Sequence, residues 1–260
     1  MKPIESVNPR NEAGLTRRIA DFWTRNVNAE RLYGQSVSAA ERGSEEYFRD
    51  LEDQRYRSHT HLPPWIARVP PGARTLEIGC GVGLDAFRMA TAGVDLTAVD
   101  LTRVGVATAA MRFRRAGLGT AFAACDAMQL PFADGSFDCV YSFGVLHHAA
   151  DTAACIDEVR RVLRPGGTAL IMLYHRRSLN ELVHRLMRVP FEEKDELCPV
   201  VRRYTRAEVE HIFRAWQGLR IDVEYLFGEG YGAVYRWFPR PAYRWLSRRF
   251  GWHLMITATR

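Results

Sequence analysis

The chain has 260 residues, of which 47% are hydrophobic and 25% charged, with a formal net charge of +6. That length holds one large α/β domain with attachments or two small domains, and the apolar–charged balance is that of an ordinary globular protein, which argues against disorder. No apolar run approaches the ~20 residues of a membrane-spanning helix, and the opening Met1-Lys2-Pro3-Ile4-Glu5 has no apolar signal core.

The positive charge is carried almost wholly by arginine, Lys2 and Lys194 being the only lysines. It favours anionic metabolites, membrane surfaces or nucleic acid without choosing among them. Cys80, Cys125, Cys139, Cys155 and Cys198 form no C-x-x-C pair and are odd in number. They read as thiols in a reducing cytoplasm, with Cys125 and Cys139 inside strands.

Residues 1–70 read as a mostly helical segment ending at Leu62-Pro63-Pro64-Trp65 and Pro70-Pro71-Gly72, where a helix cannot continue. Its apolar Ile19, Phe22, Trp23, Leu32 and Tyr33 need a surface to cover. From residue 71 short apolar runs alternate with helical stretches. Strands are expected at Thr75–Ile78, Val94–Val99, Thr120–Ala124, Phe137–Phe143 and Thr168–Tyr174. The helices between them are expected at Asp85–Ala92, Arg103–Arg115 and Thr152–Leu163, the last closed by Arg164-Pro165-Gly166-Gly167 as a helix stop and tight turn. Strands without polar alternation, separated by helices, imply a doubly wound, mostly parallel Rossmann-like sheet covered on both faces. Helices at Leu179–Arg188 and Arg206–Trp216 follow, then strands at Arg220–Leu226 and Trp252–Ala258, which suit an antiparallel hairpin at one sheet edge. Residues 228–251 form a basic, aromatic insertion in this 71–260 domain.

Chemistry concentrates at Glu77-Ile78-Gly79-Cys80-Gly81-Val82-Gly83. Glycines just past a strand let the chain turn sharply and admit a ligand against bare backbone, and the next helix offers its positive N-terminus. The dinucleotide pattern G-x-G-x-x-G fails at Leu84, and no Lys-Ser/Thr follows to make a Walker A loop. Asp100, 21 residues after Gly79, can accept hydrogen bonds from a ribose or cap the next helix.

An acid two residues ahead of G-x-G-x-G resembles motif I of class I S-adenosylmethionine-dependent methyltransferases. Leu130-Pro131-Phe132-Ala133-Asp134-Gly135-Ser136-Phe137-Asp138 and Arg161-Val162-Leu163-Arg164-Pro165-Gly166-Gly167 resemble further family features, so the likeness covers about residues 73–175. It implies a Rossmann-like α/β fold with an N-terminal helical cap (1–70) and S-adenosylmethionine as cofactor. Glu77 would face the methionine ammonium, with Gly79, Cys80, Gly81 and Gly83 as the loop. Asp100 with Leu101 would hold the ribose, Asp126 and Ala127 the adenine, and Phe143 and Gly144 the sulfonium end.

Neither N/D-P-P-Y/F nor Pro-Cys stands at the fourth strand, which excludes the motifs of DNA-base methylation. Ser142-Phe143-Gly144-Val145-Leu146-His147-His148 resembles small-molecule C- and O-methyltransferases, including the ubiquinone/menaquinone C-methyltransferase group. His147, His148 and His175 are candidate general bases, since imidazole titrates near neutrality; each could equally pack or cap its loop. No metal site is expected, because the cysteines and histidines lack ligand spacing. The implied reaction is in-line methyl transfer to carbon or oxygen of a small metabolite, with anionic or aromatic acceptors as the partners that arginine and aromatic side chains suit. RNA methylation through the arginine-rich tail, and a non-catalytic binding module, are the alternatives. Trp23, Tyr33, Tyr47 or Tyr56 is expected either to close the pocket or only to pack on the sheet domain. Arg236, Arg240, Arg244, Arg248 and Arg249, interleaved with Trp237, Phe238, Tyr243, Trp245 and Phe250, form a solvated face, a substrate cap, an RNA contact or a peripheral membrane contact.

Overall fold

A computed structural model describes residues 9–27, 30–32, 35–188, 197–228 and 232–260. Its centre is a seven-stranded sheet of β3 (Arg74–Ile78), β4 (Asp95–Asp100), β5 (Ala121–Ala124), β6 (Phe137–Phe143), β7 (Leu163–Tyr174), β8 (Gln217–Glu224) and β9 (His253–Thr259), in the order β5-β4-β3-β6-β7-β9-β8. The first five strands are parallel, while β9 runs antiparallel to both β7 and β8. The closing strands therefore pair at the sheet edge as their pattern implies, with β9 the inner of the two.

Alternation along the strands divides the core between the two faces. Val140, Ile171 and Leu173 pack with α6 (Thr152–Val162) and α8 (Arg206–Ile212) residues such as Ile156 and Val209. Tyr141, Leu170 and Met172 pack instead with Met89 of α4 (Leu84–Thr91) and with Leu62, Trp65 and Ile66 of α3 (Leu62–Ile66). Helix starts are fixed by side-chain caps that satisfy orphan N–H groups. Thr102 accepts from Gly105 at α5 (Arg103–Arg115), and Asp151 accepts from Ala153 and Ala154 at α6.

Ahead of the sheet come α1 (Pro9–Arg25), the two-residue strands β1 (Arg31–Leu32) and β2 (Gln35–Ser36), and α2 (Glu45–Ser58). Ile19 and Phe22 of α1 are buried, as are Tyr47, Phe48 and Leu51 of α2. Tyr33 lies outside the described residues.

Three local expectations differ. Cys125 falls just past β5 rather than in it, its N–H donating to the Asp100 carbonyl. Arg164–Gly167 belongs to β7 but bulges out between the pairings Phe137↔Leu163 and Cys139↔Thr168, so the turn is made inside a strand. α8 stops at Ile212 rather than Trp216, where Phe213 and Trp216 turn into the core. Between β8 and β9 the basic aromatic stretch forms α9 (Ala233–Trp237) and α10 (Arg240–Phe250); α7 (Leu179–Met187) precedes it.

Candidate active site

Strand order reverses between β3 and β6, and a cleft opens past the carboxyl ends of the strands there, the usual ligand position in such sheets. It encloses about 1160 Å³ including its open mouth. Its floor is the glycine loop. The N–H groups of Gly79 and Cys80 both donate to the Val99 carbonyl, at 2.7 and 3.0 Å, pinning the turn to β4. Gly79 and Gly81 have φ of +79° and +50°. At Gly79 a Cβ would lie 2.1 Å from a Val145 methyl, so glycine is needed for packing; at Gly81 a Cβ would meet nothing within 4 Å. Gly81 presents bare backbone to the cleft.

Gly83 departs from expectation. It does not line the cleft; its missing Cβ would sit 2.8 Å from that of Ala109 in α5. It is a helix-packing glycine.

Three acids surround the loop. Glu77 is buried on β3 and lines the cleft, and its Oε2 has no hydrogen-bond partner among the described residues. Burial, reinforced by the Asp85 charge, holds its carboxyl well above the usual carboxylate range. Asp100 Oδ2 accepts from Gly81 N at 2.8 Å, and Oδ1 accepts from Thr102 N at 2.8 Å and Thr102 Oγ1 at 2.7 Å. Asp100 thus ties the loop to the start of α5, while Thr102 is the helix cap. Asp126 Oδ1 accepts from Met128 N at 2.9 Å, and the residue lines the cleft with Leu101, Cys125 and Ala127.

A second charged group enters from the N-terminal helix α2. Arg55 of α2 reaches Asp85 in the first turn of α4, where Tyr141 Oη also donates to Oδ2 at 2.9 Å and Tyr56 Oη to Oδ1 at 3.1 Å. Burial alone would raise the Asp85 pKa, but the Arg55 charge together with the hydrogen bonds from Arg55, Tyr141 and Tyr56 outweighs it and holds the carboxyl low. Arg55 and Asp85 both line the cleft. Sequence patterning missed them: Asp85 looks like an ordinary first-turn acid, and nothing local distinguishes Arg55 from Arg49 or Arg57.

The three histidines part company. His148 lines the cleft beside Ala149 and Ala150. Its Nδ1 donates to the Val200 carbonyl at 2.7 Å, so the neutral ring carries its lone pair on Nε2. Trp23 packs edge-on against it, with centroids 4.9 Å apart, and lines the same cleft from α1. His147 is a correction. It is fully buried against Tyr174, 3.9 Å between centroids, with neither ring nitrogen bonded among the described residues, and burial drives its pKa well down. His175 is another: it sits off the cleft, Nδ1 donating to the Gly251 carbonyl at 3.0 Å. Of the cap aromatics, Trp23 faces the cleft; Tyr47 is bonded to Glu30 and Tyr56 to Asp85, and neither lines it. Phe143 and Gly144 do, with Val145 and Leu146 beyond them.

Residues 76–171, from mid-β3 into β7, match the methyltransferase domain family. Over that stretch the chain is similar to methyltransferase domains. The matched residues contain the glycine loop, all three acids and His148. The 27-O-demethylrifamycin SV methyltransferase of Amycolatopsis mediterranei is 43% identical over 114 residues, 42% of each chain. The 2-methyl-6-phytyl-1,4-hydroquinone methyltransferase of Synechocystis sp. is 27% identical over 207 residues, 78% of this chain and 62% of the relative. The chain thus spans about half the length of these curated relatives. Among solved structures the cyclase SpnF shares the fold, with a TM-score of 0.63 at 20% identity over 94% of this chain and 96% of its own. Outside the matched residues, the domain's cleft takes Arg55, Trp23, Thr16, Ile19 and Val27 from the N-terminal helices and their connection.

Proposed function

We propose that the chain holds S-adenosylmethionine in this cleft and transfers its methyl group to carbon or oxygen of a small metabolite. The observation that carries the reading is the buried Glu77 oxygen without a partner, facing the same space as the bare backbone of Gly81. A buried carboxylate costs free energy unless a cation or donor meets it, and the methionine ammonium is such a cation. When bound, the cofactor supplies a methyl carbon activated by its sulfonium.

In this reading Glu77 takes the ammonium and Arg55 faces the carboxylate end. Asp100 uses the lone pairs that Gly81 and Thr102 leave to accept from ribose hydroxyls, and Asp126 with Ala127 holds the base. Phe143, Gly144 and Val145 exclude water at the transferring end. His148 Nε2 takes a proton from the acceptor, its ring orientation held by Val200 and Trp23. Residues 1–70 act as the cap, with Trp23 over the acceptor side. Relatives named for a rifamycin and a hydroquinone support a small organic acceptor.

The test is incubation of the whole chain with methyl-labelled cofactor and a small-molecule extract. Label should enter a small organic product, and Glu77→Gln should abolish it. Label entering only RNA would replace this reading with the nucleic-acid one, and no incorporation alongside intact cofactor binding would favour a binding module.

A further inference from the structure

The arginine-rich helices take no part in the cleft. α7, α9 and α10 gather over one small cluster, in which Leu179 of α7 and Phe238, Tyr243 and Leu246 of the tail pack on buried Leu226, Phe227 and Tyr235. The outer faces are unlike an ordinary solvated surface. Trp237 is 84% exposed, Trp245 58% and Phe250 47%. On α7, Leu182 and Leu186 continue the stripe that starts at Leu179, at helical spacing, and Leu186 is 72% exposed with Met187 beside it at 67%. Around them Arg236, Arg240, Arg244, Arg248 and Arg249 are all exposed, and none forms an ion pair with a described residue. Residues 231–260 contain no Asp or Glu.

We propose that α7, α9 and α10 form a docking surface for an anionic lipid membrane. Exposed tryptophan and leucine beside exposed arginine is the arrangement that lies in a headgroup layer, and here Arg249 stacks on Trp245 and Arg240 on Tyr235: the apolar groups enter the acyl boundary, and the guanidinium groups meet lipid phosphates. Charge complementarity selects this occupant. A second copy in a two-fold interface would set this acid-free arginine patch against itself. RNA would satisfy the arginines and could stack on the tryptophans, but gives Leu182, Leu186 and Met187 nothing to bury against. The patch adjoins the cap, since the Tyr235 hydroxyl donates to the Arg57 carbonyl at 3.0 Å, on the helix whose Arg55 lines the cleft. A docked chain would hold its cap near the bilayer. This inference does not depend on methyl transfer.

The experiment is vesicle co-sedimentation of the full chain. Vesicles of phosphatidylcholine alone are compared with phosphatidylcholine–phosphatidylglycerol mixtures, at low and high salt. Binding should appear on the anionic vesicles and fade as salt screens it. The double variant Arg244→Glu/Arg248→Glu should bind about tenfold or more weakly. Trp237→Ala/Trp245→Ala should also weaken it, and a blue shift of the wild-type tryptophan emission should accompany binding. These positions are exposed, so unchanged thermal midpoints establish that the variants are folded. Equal or no binding to the two vesicle types, or variants that bind like the wild type, would overturn the proposal. So would an RNA mobility shift or a concentration-dependent dimer that the same substitutions abolish while vesicles go unbound.

Discussion

Arg55 and Asp85, one on the cap helix and the other at the start of the helix after the glycine loop, form a bidentate ion pair, Nε to Oδ1 at 2.8 Å and Nη2 to Oδ2 at 2.6 Å. With Tyr141 and Tyr56 on the same carboxylate, the pair fastens the N-terminal segment to the rim of the cleft. A buried pair contributes little net stability, but breaking it strands a charge. Arg55→Met should therefore destabilise the chain by about 3–5 kcal/mol. Arg55→Met/Asp85→Leu should recover most of that loss. Denaturant unfolding of the three proteins measures it, and a double variant no more stable than Arg55→Met would contradict the account.

Glu77 makes a prediction in pH. Its folded pKa lies well above the ordinary value because of burial and then the Asp85 charge. The folded state therefore binds the proton more tightly than the unfolded chain. The wild type is most stable where Glu77 is neutral in both states, and loses that stability as pH rises through the folded pKa. Glu77→Gln removes the titration. Its thermal midpoint should match the wild type near pH 4 and exceed it near pH 8, by about 2–4 °C for each kcal/mol. Parallel midpoint curves would show that Glu77 is not the group responsible.

The two cleft glycines should fail in different ways. Gly79→Ala places a methyl on Val145 and strains a left-handed backbone, so it should lower stability by more than 1 kcal/mol, on the order of a tight core overpacking. Gly81→Ala meets open space and should unfold only slightly more easily, about 1 kcal/mol. Gly81 lines the cleft, however, and under the proposed function the added methyl crowds the bound cofactor, so affinity for S-adenosylmethionine should drop sharply. Titration and thermal unfolding of both variants separate the effects.

His148 and His147 should separate as well. His148→Ala should lower turnover about 10²–10⁴-fold, the range of general acid–base catalysis, with a smaller change in cofactor affinity. His147→Leu should keep activity, because neither nitrogen is bonded to a described residue and the ring does not line the cleft. It should also gain stability relative to the wild type as pH falls below about 6.5. The wild-type imidazole, its pKa pushed down by burial and then by His148, must take up a proton on unfolding there. Equal loss of turnover in both variants would move the base elsewhere.

The parallel strands were legible because a run such as Leu76–Ile78 followed by Gly79 and Gly81 has few other readings: the sheet face and the bare turn are both written locally. Glu77, Asp100 and Asp126 were legible for the same reason, each sitting at or just past a strand end. What stayed hidden was set by tertiary contact. Gly83 looks like its neighbours in the pattern, and only the approach of Ala109 shows that it serves packing. His147 and His148 are adjacent residues of one type, both buried, and the turn of the chain after β6 brings only His148 to the cleft. Arg55 and Asp85 are separated by thirty residues, and no periodicity joins them. Asp100 is not the helix cap that one reading made it: it ties Gly81 to Thr102, and Thr102 provides the cap.

Calorimetric titration of the whole chain and of Glu77→Gln with S-adenosylmethionine, in two buffers of different ionisation heat, tests the central claim most directly. The wild type should bind at one site and release a proton as Glu77 ionises against the ammonium; the Gln variant should bind about tenfold to a hundredfold more weakly, without proton release. No binding by the wild type, or equal affinity in the two proteins, would contradict it.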